Sequence, residues 1–392
     1  MEKNGTVMDY LRWRGDLTFA QDGFNEVDDL VLCIISYLNF RRFDDLRTTD
    51  PAKAAALPDV AARLTEEDEQ LGLSELDYIP LMRLAAETAR FREVRMFGFT
   101  HEWDETKEMQ FDAVSYLLPD DTLLVSFMGT DTSLVGWKED FNMSFLTAVP
   151  AQERATAYTV EMAAACPDRK LRIAGHSKGG NLAVYAGACI PQPDQDQIRR
   201  VYGFDGPGVD EETLHSDGYR RISPRIESYI PQSSVVGMLL NYHPVYTVVK
   251  SVSLGILQHD AMTWQVEDGR FVCMDDLDMG GKITDEALHA WLATMDHEKR
   301  RLLVDTLCQV VDASQAELVT DISADWHKSA LKMLEAIRDL KPGVKRDVRK
   351  MLRALFSSGA SEVVRAVLPH LAQMHDALEQ LKEGKNEPLP RH

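Results

Sequence analysis

The chain has 392 residues, 44% of them hydrophobic, enough for one large α/β domain with an appendage or for two domains. Its formal net charge of −20 argues against binding nucleic acid or anionic lipid, because both need a basic face. The five cysteines, Cys33, Cys166, Cys189, Cys273 and Cys308, are scattered and form no zinc-like or C-x-x-C spacing, so free thiols in a reducing, cytoplasmic setting are expected.

The start, Met1 to Thr6, lacks the basic and apolar runs of a signal peptide. In residues 1–60 a helix is predicted with Asn25 as its cap, because Val27, Leu30, Val31, Ile34, Ile35 and Leu38 recur at helical spacing. Its apolar face should pack on the main domain. Thr65 to Glu75 is acidic and reads as a surface segment, and a second helix is expected over Ile79 to Phe91.

From Val94 the period changes to that of strands. Val94 to Phe99 and Phe111 to Leu118 read as strands joined across the polar stretch 100–110, and Pro119 to Thr122 as a turn. Leu123 to Met128 is almost wholly apolar, as a strand buried on both faces should be. A helix follows over Ala151 to Ala165, then strands at Leu171–Ala174, Arg200–Phe204, Arg225–Ile230 and Val245–Ile256. This alternation calls for a mostly parallel sheet covered by helices.

Leu171 to Gly187 carries the most chemistry. An apolar strand runs into Gly175-His-Ser-Lys-Gly179, and a helix with small residues at Gly180, Ala183, Ala186 and Gly187 follows. Strand, G-x-S-x-G and helix together form a nucleophile elbow with Ser177 at its tip. The alternative is a glycine-rich turn after a buried strand. The helix N-terminus offers N–H groups where negative charge would develop.

A serine hydroxyl needs a base. With the order serine, acid, histidine, His259 is the candidate base, against the alternative of a surface histidine beside Asp260. His243 is a rival in a Tyr-His-Pro turn, His176 reads as packing or orienting, and His215 as solvated. Asp205 follows the strand after the elbow helix. It either orients His259 or caps the turn Gly206-Pro207-Gly208; the sequence favours neither. Asp260 is next to His259 in sequence and poorly placed to reach it. Glu227 lies within a strand.

The segments 126–131, 175–180 and 202–208 resemble the class 3 lipases, which are α/β hydrolases. Met128-Gly129-Thr130 stands for their oxyanion turn, Trp137 to Asp140 for their Trp-x-x-Asp, and Phe204 to Pro207 for their Phe-Gly-x-Pro. The chain resembles more closely a bacterial branch, the Mbeg-like domain family, through Phe24 to Asp28, Tyr229 to Gly237 and Gln258-His-Asp260. The resemblance covers residues 20–275. It implies an α/β-hydrolase fold, a triad histidine at His259, and oxyanion donors at the amides of Lys178 and Thr130. It departs at two points. The lipase acid would fall near Ser233-Ser234, where there is no carboxylate, and Lys178 stands where lipases carry leucine.

Asp131, Trp137 and Asp140 read as turn, core and loop anchor. Lys178 is expected to project outward. Val235 to Leu240 could line an acyl pocket, belong to a lid, or fill core.

Past residue 280 the strand signals stop. Helical periodicity runs through Asp285–Met295, Leu302–Val311, Leu331–Leu340 and Val344–Phe356. The expected division is therefore a hydrolase-like core over 1–280, with N-terminal helices, and a helical region over 281–392. That region carries a basic run, Lys341 to Arg353, able to meet a protein partner or a second copy. The region 233–257 is too interrupted to span a membrane. The reading is a serine hydrolase acting on a small acyl-ester, thioester or lipid-like substrate, with no metal or organic cofactor. The alternative is a binding or regulatory protein that kept the fold.

Overall fold

The computed structural model describes residues 5–69, 78–104, 106, 109–130, 148–234, 236–238, 245–253, 255–277 and 338–356, with 298, 299, 302, 306, 375 and 376. Its helices include α1 (Val7–Arg14), α2 (Glu26–Ile35), α3 (Tyr78–Glu87), α4 (Pro150–Ala165), α5 (Lys178–Cys189), α6 (Asp217–Ile222) and α7 (Pro342–Phe356). Nine strands make one sheet in chain order: β1 (Ala55–Ala56), β2 (Arg95–Asp104), β3 (Met109–Leu117), β4 (Thr122–Phe127), β5 (Lys170–His176), β6 (Ile198–Phe204), β7 (Ile226–Pro231), β8 (Tyr246–Val249) and β11 (Cys273–Met274). A small antiparallel pair, β9 (Val266–Glu267) and β10 (Arg270–Phe271), stands apart.

β4 through β8 are parallel, and each pairs with its sequence neighbour. A parallel sheet that always advances in one direction, with right-handed crossovers, puts all its crossover helices on one face. Residues of α4, α5 and α6 accordingly share one core with Leu123, Val125, Phe127, Leu171, Ile173 and Val201. Leu124, Ala174, Tyr202 and Phe204, which alternate with these along the strands, point to the other face. No crossover helix can cover that face, so the N-terminal helices do: α1, α2 and α3 pack there. This is an α/β-hydrolase fold with a mixed, mainly parallel sheet.

Two expectations need correction, and a third is exceeded. The strand expected over 245–256 is four residues long; the chain leaves the sheet after Val249, and a 3₁₀ turn occupies Gly255–His259. The link expected over 100–110 is largely strand, because β2 and β3 pair out to Asp104 and Met109. Helix α2 forms and packs on the main domain as expected, and it is buried on every side: all ten residues, Glu26, Asp28 and Asp29 included. Asn25 does cap it, accepting from the Val27 and Asp28 amides. Of the C-terminal helices, α7 is described; Asp285–Met295 and most of Leu302–Val311 and Leu331–Leu340 lie outside the described residues.

The acids of α2 meet different fates. Glu26 pairs with Arg270, and Asp28 with Arg90. Asp29 is fully buried, and among the described residues neither of its oxygens has a hydrogen-bond partner. Burial holds its carboxyl well above the ordinary range, only partly opposed by Arg172. As pH rises above the ordinary carboxylate value, the unfolded chain therefore loses this proton first, and stability falls by up to about 1.4 kcal/mol per pH unit. Asp29→Asn cannot ionise. Its stability relative to wild type should rise between pH 4 and pH 7, read from thermal melts at both; a difference that does not change with pH would contradict this.

Candidate active site

Strands β4 to β8 deliver the site from the ends to which their parallel direction points, as open α/β sheets do. Ser177 follows β5, Gly129-Thr130 follow β4, Asp205 follows β6, Ser234 and Gly237 lie after β7, and His259 comes in the turn after β8.

Ser177 sits on the sharp turn between β5 and α5 with φ 58° and ψ −131°. That is a strained conformation for a residue with a side chain, of the kind concentrated at functional sites. Two glycines make the turn possible. A Cβ on Gly175 would lie 2.2 Å from the Gly179 backbone, and one on Gly179 would lie 2.1 Å from the Phe127 carbonyl oxygen.

His259 presents Nε2 to Ser177 Oγ at 3.0 Å and Nδ1 to Asp205 Oδ2 at 2.6 Å. Its side chain is 11% exposed, and that of Asp205 is 1%. The second oxygen of Asp205 accepts from Ser234 Oγ at 2.5 Å and from the Gly237 amide at 3.0 Å. Asp205 thus points at the imidazole rather than capping its own turn, and it holds φ 46° there. Ser234, in the segment where the lipase acid would fall, donates to the carboxylate that comes from the neighbouring strand. Of the segment 235–240, residues 236–238 are described, and the Gly237 amide donates to Asp205. Gln258 steadies the turn that carries His259: its side-chain oxygen accepts from the Ser233 amide, and its carbonyl from Trp264 Nε1.

Lys178 does not project outward. Its side chain is buried, with Nζ 2.8 Å from the Gln110 carbonyl oxygen and 3.2 Å from Gln110 Oε1. Gln110 in turn donates to Asp112, which pairs with His101 at 2.6 Å. A lysine in the leucine position therefore ties the first residue of α5 to β3, on the far side of β4.

His176 lies beneath the elbow with its ring centroid 4.7 Å from that of His259. Its Nε2 is 2.8 Å from the His259 carbonyl oxygen, and its Nδ1 is 3.0 Å from the Tyr37 hydroxyl. Burial first, and His259 second, push its pKa down to about 3. His215 is exposed, Asp260 caps the 3₁₀ turn Ala261–Thr263, and Glu227 pairs with Arg200. His243, Asp131, Trp137 and Asp140 lie outside the described residues. Sequence reasoning missed Tyr37, Gly237 and the roles of Ser234 and Gln258. Tyr37 is 139 positions from His176 along the chain, and nothing in the local pattern marks it.

The profile of the Mbeg1-like family matches residues 85–309, more than half of the chain. The chain belongs to the Mbeg1-like family. The match takes in the elbow, Asp205 and His259, while α1, α2 and Tyr37 lie before it. Among solved structures, a fungal lipase in an inhibitor complex, described as a model for interfacial activation in lipases, is 11% identical, with 72% of this chain and 98% of that one covered and a TM-score of 0.36. The Lip2 lipase of Yarrowia lipolytica is 9% identical over 63% of this chain and 86% of that one, TM-score 0.33. Lipase II from Rhizopus niveus is 15% identical over 49% and 77%, TM-score 0.32. No curated protein matches. Among the described residues no helix is long and apolar enough to cross a membrane.

Proposed function

We propose that this Mbeg1-like protein is a serine hydrolase of carboxylic esters or thioesters. The observation that carries the reading is the unbroken contact from Ser177 Oγ through His259 to Asp205, on a strained elbow at a helix N-terminus. His259 takes the Ser177 proton as Oγ attacks the acyl carbonyl carbon. The backbone amides of Lys178 and Thr130 hold the resulting oxyanion, each worth about 3 kcal/mol of transition-state stabilisation. Collapse expels the alcohol or thiol, which takes the proton from His259. Water, deprotonated by the same imidazole, then cleaves the acyl-enzyme and restores Ser177. Asp205 holds the tautomer that this requires and stabilises the imidazolium.

Soluble acyl substrates suit the chain better than insoluble fat, given its acidity. A cytoplasmic setting is part of the proposal and is supported by the free thiols of Cys33, Cys166, Cys189 and Cys273. The division at residue 280 and an interface role for the C-terminal helices also stand as proposals, supported by the basic residues of α7. The test is a fluorophosphonate probe. Wild type should be labelled and Ser177→Ala should not be; folded wild type that takes no label at any pH would end the catalytic reading.

A further inference from the structure

The Tyr37–His176 pair lies outside the proposed Ser177–His259–Asp205 constellation, yet it touches both of its flanks. Tyr37 stands just past the end of α2, on the face covered by the N-terminal helices, and its hydroxyl reaches the end of β4. The Gly129 amide donates to that oxygen at 3.1 Å. The same hydroxyl is 3.0 Å from His176 Nδ1 and 3.2 Å from the His176 carbonyl oxygen. On the other side of the ring, Nε2 meets the His259 carbonyl oxygen at 2.8 Å.

The direction of these bonds follows from what each atom can do. A carbonyl only accepts, so His176 Nε2 carries the proton. A buried neutral imidazole has a single N–H, so Nδ1 is an acceptor. The Tyr37 O–H therefore donates to Nδ1. Were its proton turned to the His176 carbonyl instead, a hydroxyl oxygen and a bare ring nitrogen would face each other at 3.0 Å, both buried. The depressed pKa of His176 keeps the ring neutral through the working range.

The geometry points to Tyr37 and His176 as positioning residues: one directed chain, Gly129 N–H to Tyr37 O–H to His176 to the His259 carbonyl, ties the oxyanion turn to the backbone of the base. Its role in turnover rests on the hydrolase reading; its hydrogen-bond direction does not. Two consequences follow. The Gly129 amide is committed to Tyr37, which leaves the oxyanion to the amides further along the turn and on α5. The N-terminal helices also become part of the catalytic apparatus, because α2 carries Tyr37 to its place. A displacement at either end is felt at the other, since the chain has no slack atom between them.

The experiment is nitrogen-15 NMR of histidine-labelled protein, paired with kinetics on a short-chain p-nitrophenyl ester. In wild type, His176 should show a protonated Nε2 and a hydrogen-bonded, unprotonated Nδ1, unchanged down to about pH 4. In Tyr37→Phe the Nδ1 resonance should move toward that of a nitrogen without a partner, and kcat should fall about tenfold with KM unchanged, because the hydroxyl meets the turn and not the substrate. A protonated Nδ1 in wild type would overturn the proposal even if the variant fails to fold. So would a folded Tyr37→Phe with the wild-type kcat. Failure of the hydrolase reading looks different: wild type neither turns over ester nor takes the fluorophosphonate, whatever tautomer His176 shows.

Discussion

Asp205→Asn should lower kcat/KM by roughly 10³- to 10⁴-fold while leaving the melting temperature close to that of wild type. The carboxylate accepts three hydrogen bonds: from His259 Nδ1, from Ser234 Oγ and from the Gly237 amide. An asparagine carbonyl can still accept from Ser234 and Gly237, so the loop after β7 stays in place. Its amide nitrogen would then face His259 Nδ1, and an N–H there cannot accept the ring proton. The imidazole must turn to the tautomer with its proton on Nε2, pointing at Ser177 Oγ, where it can no longer take the serine proton. The loss is thus one of chemistry and not of folding. Ester kinetics and a thermal melt on the same preparation separate the two. Activity within tenfold of wild type would move the acid's role to another group.

The second large effect is on stability. Arg90→Ala should reduce the free energy of unfolding by about 3–5 kcal/mol, measured by urea titration. Arg90 and Asp28 are both completely buried. The guanidinium gives Nε to Asp28 Oδ1 at 2.6 Å and Nη2 to Asp28 Oδ2 at 2.5 Å. It also donates to the carbonyl oxygens of Leu17, Asp22 and Gly23, and it lies 4.7 Å over the Phe19 ring. Truncation would leave a buried carboxylate and three partly buried carbonyls without this partner. The penalty is that of stranded groups, far above the net worth of a surface pair. Lysine should not rescue, because one ammonium cannot reproduce the planar fork. A change under 1 kcal/mol would show that the socket relaxes or fills with water. The site would feel the damage too, since Arg90 anchors the loop leading into α2 and α2 leads to Tyr37.

The local parts of the site were legible along the chain because local geometry demands particular residues. The elbow needs Gly175 and Gly179 within van der Waals reach of neighbouring backbone, so it shows as a short pattern. The buried strands show as apolar runs, and Asn25 as a cap with its hydrogen bonds to the next turn. That α2 is buried on every side was not legible, for a related reason. Periodicity registers apolar side chains, but the partners that allow an acid to be buried, Arg90 for Asp28 and Arg270 for Glu26, lie 62 and 244 positions away. The strand expected over 245–256 failed because β-branched residues mark a preference, while the length of a strand is set by the neighbour it pairs with; β7 offers only four partners to β8.

By itself the sequence determined which residue types stand at the ends of which strands: a serine on a glycine-pinched turn, an aspartate after the next strand, a histidine after the last parallel one. Only the tertiary structure decided where their side chains point. Asp205 could cap a turn or hold an imidazole, and the choice depends on Ser234 and Gly237 arriving from β7. Lys178 could face solvent or interior, and Gln110 on β3 draws it inward. The reason is physical. Backbone conformation is settled over a few residues, whereas the direction of a buried polar side chain is settled by which donors and acceptors the fold brings within 3 Å, and those come from anywhere along the chain.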